Sequence, residues 1–412
     1  MSEADQPRSY LSNLRCSKCG NTYSADELHS TCQKCQGVLL AEYSLEQIKN
    51  RASKEVFQKR STNMWRYREL MPVRDQKNIV TLGEGYTPIM RLDRLGKELG
   101  VENLFIKDDG IIPTGTFKAR GLSAAVSKAK ELGVKRIAIP TAGNAGAAVA
   151  AYGAKAGIET FVFMPKDAPF ANKAECIVYG AKLYLVDGLI NDAGKIVQKG
   201  TKSMNWFDVS TTKEPYRVEG KKTMGLEIAE QMGWTLPDVI LYPTGGGTGI
   251  IGMWKGFNEL EQIGWIKGNK PRMFTIQAEG CAPIVKAFIE KKEECEIWAN
   301  ATTDASGLRV PKPYADYLVL KILRESHGGA VAAEEKAIFD CQRRLAATEG
   351  IFAAPEGAAT IRGLVKLLES GEIEKSDNIL LYNTGSGILY TDLIKTDLKV
   401  LKPDADPSTL QT

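Results

Sequence analysis

The sequence predicts an α/β protein with mostly parallel sheets and a small metal-binding module near its N-terminus. From residue 104 onward, short apolar runs alternate with longer stretches of helical pattern. Near-continuous apolar strands that alternate with helices are typical of parallel sheets covered on both faces. Glycine-rich segments follow several of the apolar runs. Ligands bind such sheets at the carboxyl ends of the strands, so these loops are where the chemistry is expected.

The main body of the chain contains seven predicted strands and five predicted helices. The strands are residues 104–107, 136–139, 160–164, 183–186, 239–242, 273–277 and 378–382. The helices are residues 120–132, 145–156, 191–199, 222–232 and 360–368. Residues 45–80 are charged and also helical in pattern, with predicted buried positions at Leu45, Ile48, Val56, Phe57 and Trp65.

Length and composition exclude several classes of protein. A chain of 412 residues exceeds what one hydrophobic core supports, so two or three domains are expected. The small net charge of +4 argues against nucleic acid as the main partner. No run reaches the roughly 18 apolar residues of a membrane helix, and the first 15 residues lack the apolar core of a secretory signal. We therefore expect a cytoplasmic protein. The two histidines, His29 and His327, argue against a histidine-based mechanism.

Four cysteines near the N-terminus have the spacing of a metal site. Cys16 and Cys19 form one C-x2-C pair, Cys32 and Cys35 form another, and twelve residues separate the pairs. Four thiolates suit tetrahedral zinc in a structural site, and so small a module would depend on the metal to fold. The sequence therefore predicts a zinc ribbon over residues 1–42. The alternatives are four unrelated thiols or a redox pair, and two matched pairs favour metal.

The remaining cysteines are scattered along the chain. They are Cys176, Cys281, Cys295 and Cys341. A large cytoplasmic protein is kept reduced, so disulfides are not expected. These four are interpreted as small buried apolar residues.

The first loop of interest, residues 113–121, follows a strand and opens a helix. Lys118 lies where that helix begins, close to Arg120. A lysine that forms a Schiff base must be deprotonated part of the time, and partial burial and a nearby cation both lower its pKa. The alternative is an ordinary solvated lysine in a first helical turn.

The second loop contains Thr141, Ala142, Gly143 and Asn144, directly after a strand and before a helix. Small residues let the backbone approach a ligand, and the free N–H groups of the helix suit a carboxylate. The alternative is close helix–strand packing by glycine and alanine.

The third loop, residues 244–249, contains four glycines and two threonines between a strand and a helix. Its backbone N–H groups would form a nest for a phosphate. It lacks the ending of a Walker loop and comes too late in the chain for the usual dinucleotide motif. The alternative is a plain turn. A fourth loop, residues 383–387, follows the last strand and supplies hydroxyl groups.

Together and in this order, the four loops resemble those of the fold-type-II pyridoxal-phosphate (PLP) enzymes over about residues 80–390. The resemblance implies the tryptophan synthase β-subunit-like fold, with two open twisted, mostly parallel-sheet domains. The large PLP-binding domain would comprise residues 43–114 and 236–412, and the small domain residues 115–235.

The resemblance also implies roles for individual residues. Lys118 would bind the cofactor covalently, Asn144 would contact its phenolic oxygen and Thr384 would face its pyridine nitrogen. The residues implied to cradle its phosphate are Gly245, Gly246, Gly247, Thr248 and Gly249.

Within that group, the chain is most similar to threonine synthases. Residues 83–88 (GEGYTP) and 215–223 (PYRVEGKKT) resemble motifs of that family, and some of its members also carry an N-terminal cysteine ribbon. The chain departs from the family pattern at Ile112, Thr116 and Ala119, where Asn, Ser and Asp are usual. Its phosphate loop is closer to that of the dehydratases, and Glu356 follows Pro355 where Pro-Ala-Ser is common.

The resemblance implies a PLP-dependent lyase that converts O-phosphohomoserine and water to threonine and phosphate, acting as a homodimer. The freed amine of Lys118 is the natural base for the substrate α-proton. Thr87 and Arg120 are candidate anchors for the substrate phosphate. Arg217, Lys221 and Lys222 are alternatives, and such a charged run is more often a solvated face.

Other functions on the same fold stay open. One alternative is a serine/threonine dehydratase or a cysteate synthase-like β-replacement enzyme. A second is a non-catalytic PLP-fold protein that binds a partner through its ribbon, against which the intact Lys118 argues.

Overall fold

The computed structural model describes residues 9–395 and 398–403. Near the N-terminus, three short antiparallel strands form a sheet of order β2-β1-β3. They are β1 Leu11–Cys16, β2 Thr22–Ser24 and β3 Leu39–Tyr43. Alternate residues of β1 and β3 are buried, and this face packs on aromatic residues of the main body that include Trp265. The four predicted metal-binding cysteines therefore lie in or next to this small antiparallel sheet.

The segment after the ribbon is less helical than the sequence predicts. It contains one short helix, α1 Leu45–Arg51, and three 3-10 helices, Lys54–Lys59, Met64–Leu70 and Gln76–Asn78. Each 3-10 helix begins at a polar side chain that accepts a hydrogen bond from a backbone N–H two residues later; these side chains belong to Ser53, Asn63 and Asp75. Such local side-chain bonds compete with continuous helix, which is why the helical pattern does not become one element.

The buried positions predicted in this segment are correct for three of five residues. Ile48, Phe57 and Trp65 are buried. Leu45 is only partly buried and Val56 is exposed. The error at Val56 follows from the short 3-10 turn, which does not keep the period of an α-helix.

Two further sheets form the main body. Their strands are β4 Ile89–Arg91, β5 Asn103–Asp108, β6 Arg136–Pro140, β7 Glu159–Pro165, β8 Lys182–Val186, β9 Phe207–Asp208, β10 Val239–Pro243, β11 Arg272–Ala278, β12 Gly329–Ala333 and β13 Asn378–Asn383. The six-stranded sheet has the order β12-β11-β10-β13-β5-β4 and is parallel except for β4. The four-stranded sheet has the order β8-β7-β6-β9 and is parallel throughout.

Helices cover these sheets. They are α2 Asp93–Leu99, α3 Lys118–Glu131, α4 Asn144–Ala156, α5 Phe170–Val178, α6 Ile190–Ser203, α7 Tyr216–Gln231, α8 Thr248–Ile263, α9 Pro283–Ile289, α10 Asp316–Glu325, α11 Glu335–Glu349 and α12 Pro355–Ser370. Large apolar cores lie against both faces of the six-stranded sheet, and another core lies under the four-stranded sheet. No helix among the described residues is both long and apolar enough to cross a membrane.

All seven predicted strands and all five predicted helices of the main body are present, and each begins or ends at least one residue beyond its predicted bounds; α3 and α7 also end one residue earlier than predicted. The predicted strands omit β4, β9 and β12. The first two are very short, and β12 consists of glycine, alanine and one valine, whose apolar signal is weak.

The predicted division into domains stays a prediction. The four-stranded sheet lies entirely between residues 136 and 208, inside the predicted small domain. The six-stranded sheet draws its strands from the two parts of the predicted large domain. Residues 1–8, 396–397 and 404–412 of the predicted ranges lie outside the described residues.

Candidate active site

Three of the four predicted loops leave neighbouring strands of one sheet. In the six-stranded sheet, β13 lies between β10 and β5, and all three run parallel. Their carboxyl ends therefore lie side by side, and the loops that follow meet at one edge of the sheet. The fourth loop, residues 141–146, follows β6 of the other sheet.

Backbone contacts hold the lysine loop against the loop after β13. The N–H of Phe117 donates to the carbonyl oxygen of Thr384 at 2.9 Å, and the N–H of Ser386 donates to that of Gly115 at 2.8 Å. An isolated bridge joins Thr116 to Gly385 between them. Lys118, the first residue of α3, is therefore fixed beside Thr384.

The surroundings of Lys118 favour its uncharged amine. Burial is the main cause that lowers the pKa of Lys118, to about 8, and the positive charge of Arg217 lowers it further. The carboxylate of Glu356 acts in the opposite direction. The cation that lowers this pKa is therefore Arg217 on α7 and not Arg120, the neighbour suggested by the sequence, because Arg120 is paired with Asp109 and Glu227. An amine whose pKa is lowered to about 8 is more often uncharged than an ordinary lysine, so it can act as a nucleophile and as a base.

Arg120 is fully buried among carboxylates. Its guanidinium donates two hydrogen bonds to Asp109, at 2.7 and 2.8 Å, and two to Glu227, at 2.5 and 2.9 Å. Thr87 donates to Asp109 at 2.7 Å, and Lys107 forms an ion pair with Glu227 at 2.9 Å. The assignment of Thr87 and Arg120 to a substrate phosphate stays a prediction without support from the geometry, because protein groups already bind both.

The charged run on α7 is not a solvated face. Arg217, Lys221 and Lys222 are all buried. Lys222 is paired with Glu219 and Glu259, each at 2.7 Å. Lys221 donates to the carbonyl oxygen of Phe117 and lies 3.9 Å from the centre of its ring. Arg217 Nε and Lys222 Nζ are both buried without a hydrogen-bond partner among the described residues, but only Lys222 has carboxylates of Glu219 and Glu259 at ion-pair distance.

Asn144 begins helix α4 and faces the last part of the chain. Its Nδ2 donates to the hydroxyl of Tyr390 at 3.3 Å, and its Oδ1 is buried without a partner among the described residues. The preceding Gly143 has φ of 148°, and a Cβ there would lie 2.4 Å from the side-chain oxygen of Asn172. Thr141 accepts a hydrogen bond from the N–H of Gly143 at 3.0 Å. Both the positive φ and the close approach of Asn172 require glycine at position 143. The Asn144 amide that follows keeps an oxygen with no partner among the described residues, which a ligand could bind.

The glycine loop turns sharply into helix α8. A Cβ on Gly245 would lie 2.1 Å from the carbonyl oxygen of Gly307, and one on Gly249 would lie 1.9 Å from the hydroxyl of Tyr242. Close packing therefore requires glycine at these two positions, apart from any ligand. Gly247 caps α8 with φ of 80° and no side-chain cap. The hydroxyl of Thr248 is buried without a partner among the described residues. The positive end of a 16-residue helix and a free buried hydroxyl fit a phosphate group.

A buried carboxylate that was not predicted from the sequence also lies at the site. Glu356 lies in the first turn of α12, and its charge and that of Lys118 act on each other's pKa. Its Oε1 accepts hydrogen bonds from the N–H of Gly307 at 2.7 Å and from the hydroxyl of Tyr390 at 2.6 Å. Burial raises the pKa of Glu356 above its ordinary value. The sequence signal was the departure from Pro-Ala-Ser at this position, which marks an unusual residue without showing what it contacts.

The four ribbon cysteines form a cluster suited to one metal ion. Their sulfur atoms all lie within 4.8 Å of one another, with 3.4 Å between those of Cys16 and Cys35 and 3.5 Å between those of Cys19 and Cys32. Zinc–sulfur bonds of about 2.3 Å in a tetrahedron place the sulfur atoms about 3.8 Å apart. The other four cysteines are buried, and none of the eight forms a disulfide, as predicted.

A surface cavity of about 530 Å³ lies between the ribbon and helices α8 and α10. It contains neither Lys118 nor Asn144. The candidate site is therefore identified by the side chains of Lys118 and Asn144 and by the glycine loop, and not by this cavity.

Comparison with known proteins identifies the family. Residues 80–385, more than half of the chain, match the family described as pyridoxal-phosphate dependent enzyme. The chain is 38% identical to the threonine synthase of Methanocaldococcus jannaschii over 399 residues, which is 96% of this chain and 98% of that protein. The chain belongs to the threonine synthase family of PLP-dependent enzymes. It is also 37% identical to the threonine synthase of Methanosarcina acetivorans, over 90% of this chain and 91% of that one.

Solved structures share the fold. Maize serine racemase superposes with a TM-score of 0.63 at 21% identity, over 74% of this chain and 91% of that chain. Diaminopropionate ammonia lyase from Escherichia coli gives a TM-score of 0.64 at 18% identity, over 75% and 87%. The predicted fold class and the resemblance to threonine synthases are therefore confirmed, and PLP is the cofactor of the family.

Proposed function

We propose that this protein is a threonine synthase, a PLP-dependent lyase that converts O-phosphohomoserine and water to threonine and phosphate. The observation that carries the proposal is the similarity to threonine synthases over almost the full length of both chains. The lowered pKa of Lys118, at the meeting point of the loops, supports it.

The residues at the site fit the cofactor. The amine of Lys118 would bind its aldehyde carbon, and the hydroxyl of Thr384 would face its pyridine nitrogen. The N–H groups of residues 245–249 would hold its phosphate, together with the hydroxyl of Thr248, which has no partner in the part of the chain that the structure describes. Asn144, whose amide is only partly satisfied, would contact its phenolic oxygen. When bound, PLP supplies the electron sink for the reaction.

The remaining groups would bind the substrate and move its protons. Thr141, Ala142 and Gly143 precede helix α4, whose N-terminus has no side-chain cap and suits the substrate carboxylate. Lys118, once freed, would take the proton from the α-carbon, because burial lowers the pKa of its amine to about 8.

For the substrate phosphate we propose Arg217 in preference to Arg120 and Thr87. Arg217 is buried beside Lys118, and its Nη1 donates a hydrogen bond to the carbonyl oxygen of Val209 at 2.9 Å. Its Nε has no partner among the described residues and would be satisfied by an anion. Arg120 and Thr87 are bound to carboxylates instead.

Phosphate release from O-phosphohomoserine, with threonine as the co-product, is the decisive assay. O-phosphoserine and threonine test the β-replacement and dehydratase alternatives in parallel. We expect turnover of O-phosphohomoserine well above that of the other two. The Lys118→Ala variant should remain folded, lose the visible absorbance of the bound cofactor and lose turnover. Preferred turnover of another substrate would contradict the proposal, and a colourless wild-type protein would support a non-catalytic role.

Arg217→Met tests the phosphate anchor separately. We expect a rise in KM for O-phosphohomoserine of about 10-fold or more, since the loss of a charge-assisted hydrogen bond costs about 1.5–3 kcal/mol. Arg136→Met, which removes an exposed arginine paired with Glu159, serves as the control. An unchanged KM in Arg217→Met would exclude Arg217 as the anchor.

We also propose a structural zinc ion on Cys16, Cys19, Cys32 and Cys35, a homodimer, and the domain division given by the sequence. The sulfur–sulfur distances support the zinc site, and the two separate parallel sheets support the division. Sedimentation equilibrium of the full chain tests the dimer, which a monomeric mass at micromolar concentration would contradict.

A further inference from the structure

Two buried side chains that have no role in the proposed mechanism, Tyr390 and Glu356, are linked to Asn144 by hydrogen bonds. Glu356 is 5% exposed and Tyr390 is 3% exposed. The hydroxyl of Tyr390 lies 2.6 Å from Oε1 of Glu356 and 3.3 Å from Nδ2 of Asn144. The three side chains therefore form one chain of hydrogen bonds that ends at the candidate site.

The donors and acceptors of these three side chains determine the direction of each hydrogen bond between them. Oε1 of Glu356 is the acceptor in this pair, so the single proton of the Tyr390 phenol is donated to Glu356. The oxygen of Tyr390 can then only accept, from Nδ2 of Asn144 and from the hydroxyl of Ser306 at 3.2 Å. Oε1 of Glu356 is further held by the N–H of Gly307 at 2.7 Å.

This direction decides which end of the Asn144 amide is available. A side-chain amide has an NH2 end and an oxygen end that are nearly equal in shape, and the hydrogen-bond network selects between them. The accepting oxygen of Tyr390 selects the NH2 end of Asn144. That end carries two protons, so one N–H remains for a second acceptor, which the phenolic oxygen of PLP would be.

We propose that Glu356 is a positioning residue that, through Tyr390, holds the amide of Asn144 with its N–H toward the cofactor. This inference rests on the proposed function, because it requires PLP at the site. It assigns a role to the unusual glutamate after Pro355, which is not explained by core packing: its second oxygen, Oε2, is buried without a hydrogen-bond partner in the described part of the chain.

Tyr390→Phe tests the positioning role directly, because it removes the hydroxyl and keeps the aromatic ring and the carboxylate of Glu356. The readout is the absorbance spectrum of the cofactor-loaded enzyme without substrate. A hydrogen bond to the phenolic oxygen controls the balance between the visible and near-ultraviolet bands of lysine-bound PLP. We expect Tyr390→Phe to lose visible-band intensity, and Tyr390→Phe in an Asn144→Ala background to cause no further loss.

A pair of Glu356 variants gives an independent measurement. In Glu356→Gln, the amide oxygen can still accept from Tyr390 and Gly307, so the wild-type spectrum should persist. Glu356→Ala removes the acceptor and should reproduce the loss seen in Tyr390→Phe. Equal spectra for the Gln and Ala variants would overturn the proposal, even if Tyr390→Phe fails to fold.

Tyr67→Phe is the matched control. The hydroxyl of Tyr67 donates to Glu230 in another buried tyrosine–glutamate pair, which shares no hydrogen bond with Asn144, Tyr390 or Glu356 among the described residues. A spectrum of Tyr390→Phe equal to that of Tyr67→Phe would refute the positioning role while leaving PLP binding intact. A wild-type enzyme with no visible band would instead contradict the proposed function itself.

Discussion

Replacement of Arg120 by methionine distinguishes a structural arginine from a phosphate anchor. Arg120 is the cation between Asp109 and Glu227, and all three side chains are fully buried. In Arg120→Met, Glu227 would keep Lys107 as a partner at 2.9 Å. Asp109 would keep the hydroxyls of Thr87 and Tyr382 but no directly paired cation. The main cost is therefore one buried carboxylate left without its counter-charge.

Removal of one partner from a buried ion pair destabilises a protein by about 3–5 kcal/mol. The entropy of unfolding is about 2.1 cal/mol/K per residue, or about 0.6 kcal/mol/K for a cooperative unit of about 300 residues. The expected fall in Tm is therefore about 5–8 °C. Arg136→Met removes an exposed pair with Glu159, which is worth about 1 kcal/mol or less, so its Tm should fall by less than about 2 °C.

Thermal unfolding followed by circular dichroism measures the stability, and the KM for O-phosphohomoserine measures binding. A structural Arg120 predicts a large fall in Tm. If Arg120 is instead a substrate anchor, Arg120→Met should raise the KM for O-phosphohomoserine and lower the Tm no more than Arg136→Met does. The second outcome would refute the reasoning from burial and restore the assignment made from the sequence.

Two further predictions concern Lys118 and the ribbon. The rate of cofactor attachment to the apoprotein should rise with pH and reach half its maximum near pH 8, because the amine of Lys118 loses its proton as the pH rises through its lowered pKa. Arg217→Met should move this midpoint upward, since removal of a neighbouring positive charge stabilises the ammonium form; an unmoved midpoint would contradict the assigned cause. Metal analysis should find one zinc ion per chain, and chelation or Cys19→Ser should expose residues 1–42 to trypsin while residues 80–385 stay resistant. An unchanged digestion pattern after metal loss would show that zinc does not hold the ribbon.

Local patterns of sequence determined much of this protein. Strands and helices that alternate along the chain predicted the parallel sheets, and the strands that were missed are short or rich in small residues. The order of the loops around Lys118, Asn144 and residues 244–249 predicted the cofactor family. These features depend on neighbours in the chain, whose spacing is visible in the sequence.

Only the tertiary structure decided which charges meet. Arg120 binds Glu227, 107 positions away, and Asn144 meets Tyr390, 246 positions away. Whether a charged residue is solvated, paired or free to hold a ligand depends on such distant contacts and on the loss of water around them. The periodicity of residues 215–223 therefore could not show that Arg217 is buried with no partner for its Nε among the described residues, or that Lys222 lies between two carboxylates. A buried charge is stable only when a partner of opposite charge or a hydrogen-bonding group lies beside it, and here those partners come from distant parts of the sequence.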